Sequence, residues 1–330
     1  MNQIKLAVIG FGRIGKIHAE NILHMQGVEL ALVIDPILDE DSHLFDSKTI
    51  ISKDIEALTT LREIDGVIIC SPSIYHIDQI KTAANKIKNI FCEKPLALDL
   101  DEIASIQKLS LKLNLNLHIG FNRRFDPDFQ KLKNDTCNGV IGDIYQIIIT
   151  SRDPLPPPIN YIKDSGGLFL DMTIHDFDMI RYLTNAEVDE IYVKGKCMVD
   201  PNIGKAGDID TAIINMKLTN GVIASIINSR KAVYGYDQRI EILGSKGSLQ
   251  VGNQLLHGLN KGTKRGFSLG NPKQFFIDRY ADSYELEMRN FIDSIKGKEV
   301  SYPSVRDAFK TLEAGIAANK SLTKNKPIQL

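Results

Sequence analysis

Short apolar runs alternate with helix-like segments over the first part of the chain. The runs at residues 4–9, 30–34, 66–70, 89–92 and 115–120 predict buried strands. The segments between them predict helices after residue 16, near 54–62, over 75–85, and from Asp99, a plausible N-cap with Glu102 three residues on. This alternation predicts an α/β domain with a doubly wound parallel sheet.

The pattern changes beyond about residue 121. Longer runs in which apolar and polar residues alternate predict strands at 145–150, 190–199, 209–218, 222–229 and 239–243. Asn220-Gly221 predicts a hairpin turn. Helices are predicted at 167–182, 284–296 and 305–319. We therefore expect a domain at 1–121 and a second at 122–330, the latter built on an open, mostly antiparallel sheet, with C-terminal helices that can pack back on the first domain.

Composition narrows the possible partners. The chain has 330 residues, 43% apolar and 25% charged, with a net charge of −1. This balance gives no reason to expect nucleic acid or an anionic membrane as a partner. No apolar run approaches the ~20 residues that span a bilayer, and the N-terminus enters a strand too soon for a signal peptide. Four cysteines without CxxC spacing fit reduced thiols. We expect a cytoplasmic protein.

A glycine-rich turn follows the first predicted strand and opens the first helix. Its residues are Gly10, Phe11, Gly12, Arg13, Ile14 and Gly15. Asp35 ends the second strand, twenty residues after Gly15. Glycines at these positions permit a tight turn and let backbone N–H groups approach a pyrophosphate at the helix N-terminus. The acid can accept hydrogen bonds from ribose hydroxyls. The order predicts a dinucleotide site.

Other polar groups stand where the remaining strands end. Ser71-Pro72, Glu93-Lys94 and the segment 121–124 each follow a predicted strand. Ligands of such sheets collect at the carboxyl ends of the strands, so these groups are expected at one crevice. The predicted cofactor contacts are Gly10, Phe11, Gly12, Arg13, Ile14, Gly15, Asp35, Ser71, Pro72, His76, Glu93 and Lys94.

Lys94, Asp171 and His175 are the candidates for chemistry. A lysine held at the binding edge before Pro95 can stabilise developing alkoxide charge. Asp171 and His175 are four residues apart on one predicted helix, which would place them on one face. A neutral histidine can take a hydroxyl proton as a hydride leaves. The alternative of a metal pair lacks further ligands nearby, and no metal is predicted.

Several segments together resemble a known family. They are Glu93-Lys94-Pro95 and the stretches 120–127, 151–154, 156–158, 161–163, 165–178, 234–239 and 244–247. The chain resembles the Gfo/Idh/MocA oxidoreductases, and among them the inositol dehydrogenases. The likeness runs over nearly the whole chain except 261–272.

The resemblance implies a Rossmann domain, a C-terminal α/β domain whose open sheet mediates oligomers, often tetramers, and roles for individual residues. Lys94 would assist proton transfer, Asp171 would position Lys94 and the substrate, and His175 would be the general acid/base. Arg124, Asp153 and Tyr234 would face the substrate. Their alternatives are a domain-interface salt bridge, a turn acid and a packing residue, respectively.

The expected cofactor is NAD. Asp35 repels a 2′-phosphate, and Pro36 and the residues just after it supply no cation. Arg13 is the one nearby residue that can supply such a cation in place of residues 36–38, so NADP stays open as the cofactor. The resemblance implies reversible oxidation of myo-inositol at C2 to 2-keto-myo-inositol (scyllo-inosose). Dehydrogenation of scyllo-inositol or another cyclic polyol or sugar is the alternative enzyme. A nucleotide-binding sensor that lost the chemistry is the alternative from another class.

Overall fold

The computed structural model describes residues 3–38, 48–60 and 63–330. The chain divides into two compact units, each made of two stretches of sequence. The first comprises Met1–Phe125 and Asp282–Phe309, and the second comprises Asp126–Ala281 and Lys310–Leu330. A segment near the C-terminus therefore belongs to the first unit.

The first unit is built on a six-stranded, all-parallel sheet with the order β3-β2-β1-β4-β5-β6. Its elements are β1 Ile4–Ile9, α1 Arg13–Leu23, β2 Val28–Ile34, β3 Ile50–Ser52, α2 Ala57–Thr60, β4 Gly66–Ile69, α3 His76–Ala84, β5 Asn89–Glu93, α4 Leu100–Leu113 and β6 Asn116–Gly120. This order is that of a dinucleotide-binding sheet, and it confirms the predicted fold class.

Two details of this unit differ from the sequence pattern. The edge strand β3 was not predicted, because its three residues are half-buried or exposed and give no apolar run. Helix α2 covers four residues of the predicted 54–62 segment, and residues 61–62 lie outside the described part of the chain. The predicted N-cap is present, since the Asp99 side chain accepts from the Asp101 and Glu102 amides.

The core of the first unit packs a C-terminal helix against the sheet. This helix, α11, covers Ala281–Ile295. Its Met288, Phe291 and Ile292 lie in one apolar cluster with Leu6 and Val8 of β1. All five side chains are at most 3% exposed. Burial of an amphipathic face is what holds such a helix in place, so the fold of this unit depends on sequence from both ends of the chain.

The second unit is built on a mixed seven-stranded sheet with the order β12-β11-β7-β10-β9-β8-β15. Strands β7 and β10 are parallel, and the other pairs are antiparallel. The elements are α5 Pro127–Cys137, β7 Ile144–Arg152, α6 Ile159–Asp164, α7 Gly167–Asp171, α8 Ile174–Thr184, β8 Val188–Lys196, α9 Pro201–Lys205, β9 Thr211–Leu218, β10 Ile223–Ser229, β11 Asp237–Gly244, β12 Gly247–Val251, β13 Lys261–Thr263, β14 Gly266–Ser268, α10 Phe276–Arg279, α12 Val305–Lys324 and β15 Ile328–Gln329. Helix α12 begins in the first unit and ends in the second.

The second sheet buries one face and leaves the other open within the single chain. Along β9, Ala212, Ile214, Met216 and Leu218 are buried, whereas the residues between them are half-buried or exposed. Strands β9 and β10 are joined at Asn220-Gly221, where Gly221 has φ +87°. The predicted hairpin and the open, mostly antiparallel sheet are confirmed.

The predicted helix at 167–182 is interrupted, and on this point the sequence prediction was wrong. Helix α7 ends at Asp171 and α8 begins at Ile174. The Leu168 carbonyl accepts from the Met172 and Thr173 amides, both at 3.0 Å, and it also accepts from the Thr173 hydroxyl at 3.2 Å. This crowding shifts the hydrogen-bond register, so the helical spacing of four residues no longer fixes how Asp171 and His175 face.

None of the helices in the described ranges combines the length and the apolar character that crossing a bilayer requires.

Candidate active site

The glycine turn between β1 and α1 is shaped by contact with the loop after β4. Gly10 has φ +86°, and a Cβ placed on it would lie 2.5 Å from the Ser71 amide nitrogen. A Cβ on Gly15 would lie 1.9 Å from the Gly10 carbonyl oxygen. Neither position can hold a side chain without moving backbone. Strands β1 and β4 are neighbours at the point where the strand order reverses, which is where such sheets bind ligands.

Gly12 differs from the other two glycines because a Cβ on it would meet nothing within 4 Å. It is the N-cap of α1, which has no side-chain cap and no acidic residue in its first turn. The amides at this helix end keep their positive potential and face no competing carboxylate within the turn. The arrangement fits the pyrophosphate of a dinucleotide, and the space next to Gly12 is open.

Asp35 is held at the end of β2 by two backbone donors. Its Oδ2 accepts from the Phe11 amide at 2.7 Å, and its Oδ1 accepts from the Ile37 amide at 2.8 Å. Each carboxylate oxygen has more than one acceptor site, so both remain able to accept from ribose hydroxyls. The carboxylate is thereby fixed to the glycine turn itself, in the position that the sequence spacing predicted.

His76 ties together the loops that follow β4 and β5. Its Nε2 lies 2.9 Å from the Ser71 carbonyl oxygen, and its Nδ1 lies 3.0 Å from the Pro95 carbonyl oxygen. The ring is 1% exposed. Burial lowers the pKa of His76 below its ordinary value, although the two carbonyl oxygens oppose this effect. The hydrogen bonds described for His76 are thus to backbone carbonyls. The Ser71 hydroxyl donates to the Gln79 side chain.

Lys94 follows β5 directly, and its backbone is anchored by its neighbour. The Lys94 amide donates to Glu93 Oε2 at 3.1 Å. Glu93 Oε1 lies 2.9 Å from His18 Nε2. The Lys94 side chain is half-buried, and the Lys94-Pro95 peptide is cis. The sequence prediction named Glu93 but missed His18, which lies on α1 three residues after Gly15.

Arg124 pairs with a carboxylate of the same unit. Its guanidinium lies 2.9 Å from Asp307 Oδ1, near the start of α12.

In the second unit, Asp171 is held by two partners that the sequence prediction did not assign. The Tyr161 hydroxyl donates to Asp171 Oδ1 at 2.9 Å, and Arg230 Nη1 donates to Oδ2 at 3.3 Å. Arg230 is fully buried and also lies 3.6 Å from Asp208 Oδ2. A buried cation between two carboxylates fixes Asp171 and compensates its charge. Arg230 directly follows β10, which ends at Ser229, and its place just after that strand was the signal available in the sequence. His175, the second residue of α8, is half-buried.

Tyr234 belongs to a polar network around a buried carboxylate. Its hydroxyl donates to Asp237 Oδ2 at 2.6 Å and accepts from Arg152 at 2.8 Å. Burial alone would raise the pKa of Asp237, but bonds from Arg239, Tyr234 and Asn253 together lower it. Burial and the bond to Asp237 raise the pKa of Tyr234. Tyr234 is 45% exposed, so its ring can contact a ligand while its hydroxyl stays fixed.

Asp153 lies just after β7, with its backbone bonded to the last residue of β10 and to the segment that follows it. Its amide donates to the Ser229 carbonyl at 2.9 Å, and its carbonyl accepts from the Ala232 amide at 2.7 Å. The segment 229–232 therefore joins two of the predicted residues, since Ser229 and Ala232 bond the Asp153 backbone and Arg230 between them binds Asp171.

Comparison with known proteins identifies the family. Residues 4–121 match the family described as an oxidoreductase family with an NAD-binding Rossmann fold. Residues 129–250 match the GFO/IDH/MocA C-terminal domain. The chain belongs to the GFO/IDH/MocA oxidoreductase family. Its first unit is the NAD-binding Rossmann domain, as its sheet order and glycine turn require.

Individual relatives match over their full length. The chain is 41% identical to the myo-inositol 2-dehydrogenase of Thermotoga maritima, over 99% of this chain and 98% of the relative. It is 38% identical to the inositol 2-dehydrogenase of Rhizobium meliloti, over 99% of both. A crystal structure of scyllo-inositol dehydrogenase from Lactobacillus casei with NAD(H) and scyllo-inositol superposes with a TM-score of 0.92, at 32% identity and over 99% of both chains. The family resemblance noted in the sequence is confirmed.

The contrast between the glycines gives a paired test. We expect Gly10→Ala to lower the free energy of unfolding by about 1–3 kcal/mol, because it puts a side chain in a left-handed conformation against backbone. Gly12→Ala should leave stability within about 0.5 kcal/mol and weaken NAD binding at least about tenfold, or about 1.4 kcal/mol. Urea unfolding and calorimetric titration with NAD measure the two effects. A Gly12→Ala variant that binds NAD as tightly as the parent would contradict this assignment.

Proposed function

We propose that the protein is an NAD-dependent inositol dehydrogenase that oxidises myo-inositol at C2 to 2-keto-myo-inositol, reversibly. The observation that carries the proposal is the full-length identity of 41% to a myo-inositol 2-dehydrogenase, together with the presence of Lys94, Asp171 and His175 in a chain with a built dinucleotide turn. Scyllo-inositol is the second candidate substrate, supported by the scyllo-inositol dehydrogenase that shares the fold.

Oxidation of the alcohol removes a hydride from carbon and a proton from oxygen. NAD, when bound, supplies the hydride acceptor. In the proposal, His175 takes the hydroxyl proton, because an imidazole is the side chain suited to exchange protons near neutral pH. The Lys94 ammonium donates a hydrogen bond to the oxygen as negative charge develops there. Asp171, fixed by Arg230 and Tyr161, orients the substrate and the lysine.

The substrate-facing roles of Arg124, Asp153 and Tyr234 belong to the same proposal. Tyr234 has the strongest local support, since Asp237 and Arg152 hold its hydroxyl while much of its ring stays exposed. A sensor without chemistry would not need a proton acceptor such as His175 or a cation such as Lys94. Production of reduced cofactor with a panel of cyclic polyols, including myo- and scyllo-inositol, tests the function directly. Cofactor binding with no turnover of any of them would favour the sensor.

Variants of the proposed catalytic residues test the mechanism. We expect His175→Ala to lower kcat about 10²–10⁴-fold while NAD affinity survives, because the glycine turn is untouched. Lys94→Ala should be at least as severe. His24→Ala and Lys81→Ala are matched controls at exposed positions and should keep near-parental turnover. Near-full activity of His175→Ala on every active polyol would refute its role in proton transfer.

Cofactor preference is the next test. Because the fixed Asp35 carboxylate would meet a 2′-phosphate, kcat/KM with NAD should exceed that with NADP by at least about tenfold, about 1.4 kcal/mol. Replacing Asp35 by Ala and Pro36 by Arg removes the repulsion and adds a cation, so the preference should narrow or reverse. Steady-state kinetics with both cofactors measure it. Equal turnover with NAD and NADP in the parent would show that Asp35 does not discriminate between the two cofactors.

We also propose that the protein forms a homo-oligomer, with a tetramer favoured, through the open face of the second sheet. On that face Ile213 and Ile223 are 50% and 61% exposed, and Leu243 is 39% exposed. The strand register places all three side chains on one side of the sheet. Ile213 lies opposite Ile227, which is on the same face of β10 as Ile223. Ile223 and Leu243 both lie opposite Gln146. Apolar groups gathered on an uncovered sheet face are typical of a subunit contact.

A charge on that face should disrupt the oligomer. We expect Ile223→Glu to shift the mass in light scattering toward a smaller species, because it buries a carboxylate in the contact. Leu111→Glu, at a 78% exposed position on α4, is the matched control and should leave the mass unchanged. A parent protein that stays monomeric at all concentrations would rule the contact out.

A further inference from the structure

Three acid/base side chains meet inside the first unit beside the backbone of Lys94. They are His18 of α1, Glu93 at the end of β5 and Glu287 of α11. One ligand-type atom from each lies within 4.8 Å of the others. Their exposures are 0%, 8% and 1%, respectively. Groups of this kind are rarely buried together without a role.

Glu93 is held from three sides. His18 Nε2 bonds one carboxyl oxygen at 2.9 Å, and the Lys94 amide bonds the other at 3.1 Å. A Cβ on Gly120 of β6 would lie 2.9 Å from the Glu93 carboxyl carbon, so the neighbouring strand leaves this carboxyl little room. The position of the Glu93 carboxyl is therefore coupled to the backbone of Lys94 through this hydrogen bond.

Glu287 is buried beside this carboxyl with no partner of its own. Neither of its carboxyl oxygens has a hydrogen-bond partner within the described part of the chain. The titratable groups described near it are His18 from α1, Cys70 after β4 and Glu93 from β5, and Tyr284 lies one turn earlier on its own helix. No lysine or arginine is among these described neighbours.

An ionised carboxylate is costly in such surroundings. An unpaired buried charge loses its hydration, and the group takes up a proton instead. Burial first, and repulsion by Glu93 second, raise the pKa of Glu287 well above its ordinary value. A second buried negative charge next to Glu93 would push that carboxyl off its contacts with His18 and the Lys94 amide.

A divalent cation on the three side chains is the competing interpretation, since one imidazole and two carboxylates are suitable zinc ligands. His18 Nε2 and Glu93 Oε1 lie 2.9 Å apart and form a direct hydrogen bond, so neither atom is available to bind a metal while this bond is made. The geometry favours a shared proton over a metal.

We propose that Glu287 is a positioning residue that keeps a proton at neutral pH, so that Glu93, held by His18, stays fixed and holds the backbone of Lys94. The kinetic part of this inference rests on the proposed function. The part that concerns the proton does not, because it predicts how the stability of the protein depends on pH.

The stability test compares the parent with Glu287→Gln between pH 5 and 8, below the range in which cysteines titrate. A carboxyl whose folded pKa is raised binds a proton in the folded state that the unfolded chain has released, so stability falls as pH rises above the unfolded pKa of about 4.3. In the parent, this group should raise the unfolding equilibrium constant by up to about tenfold per pH unit. Glu287→Gln, which mimics the protonated acid, should lose that contribution.

The control is Glu285→Gln on the same helix, where Glu285 is 46% exposed and pairs with Arg289. It should keep the parental pH dependence. Urea unfolding at each pH gives the equilibrium constants. If the unfolding equilibrium constant depends on pH in the same way in the parent and in Glu287→Gln, the proposal is overturned. A stoichiometric metal in the purified parent that is absent from Glu287→Gln, measured by elemental analysis, would also overturn it. If Glu287→Gln does not fold, the apolar isostere Glu287→Met takes its place and must lose the same contribution to the pH dependence of unfolding. Failure of both variants to fold would overturn the proposal.

The kinetic test asks whether Glu287 acts through Lys94. Glu287→Ala should lower kcat at least about tenfold with the KM for NAD within about twofold, and Glu287→Gln should restore kcat at pH 7 to within about threefold of the parent. At alkaline pH, Glu287→Gln should lose less activity than the parent. Loss of activity in Glu287→Gln equal to that in Glu287→Ala would overturn the positioning role. A parent without turnover of any polyol would refute the proposed function and leave the stability result standing.

Discussion

The close approach of two loops at the centre of the first sheet is the constraint on which the cofactor site depends. The Gly10 turn and the Ser71 backbone lie so near each other that even one Cβ at residue 10 would overlap with the amide nitrogen. This contact brings the ends of β1 and β4 together where the strand order reverses, and it leaves the first turn of α1 open at Gly12. The Asp35 carboxylate accepts from the Phe11 amide, so the turn proposed to hold the pyrophosphate and the acid proposed to bind the ribose are fixed to each other.

Buried charges organise the rest of the polar structure, and most of them are compensated by an ion-pair partner in direct contact. Arg230 compensates Asp171 and Asp208. Arg279 pairs with Asp126, which also caps α5. Arg239 and Arg152 surround Asp237. Such groups are destabilising when they lose a partner, so each network fixes its side chains strongly. Glu287 stands apart because its described surroundings provide no such partner, and protonation is the remaining way to reduce its charge.

The family assignment narrows the chemistry but leaves the substrate to details of side chains. Relatives named for myo- and for scyllo-inositol share this fold over nearly all of the chain. The two polyols differ only in the stereochemistry at one carbon, so a preference between them would arise at the groups that face the hydroxyls, a role proposed above for Tyr234 and Asp153. Discrimination by hydrogen bonding is strong when a site leaves buried polar groups unpaired with the wrong isomer.

The sequence by itself determined the parallel sheet, the glycine turn, the place of Asp35 after the second strand and the hairpin at Asn220-Gly221. These features rest on local patterns: apolar runs, turn residues and short spacings that the backbone converts directly into structure. The placement of α11 in the core of the first unit, the break between α7 and α8, and the partners of Asp171 and Glu93 were decided by tertiary structure. Arg230 lies 59 residues from Asp171 in sequence and His18 lies 75 from Glu93. No local periodicity encodes such pairs, because it is packing over long sequence separations that brings the partners together.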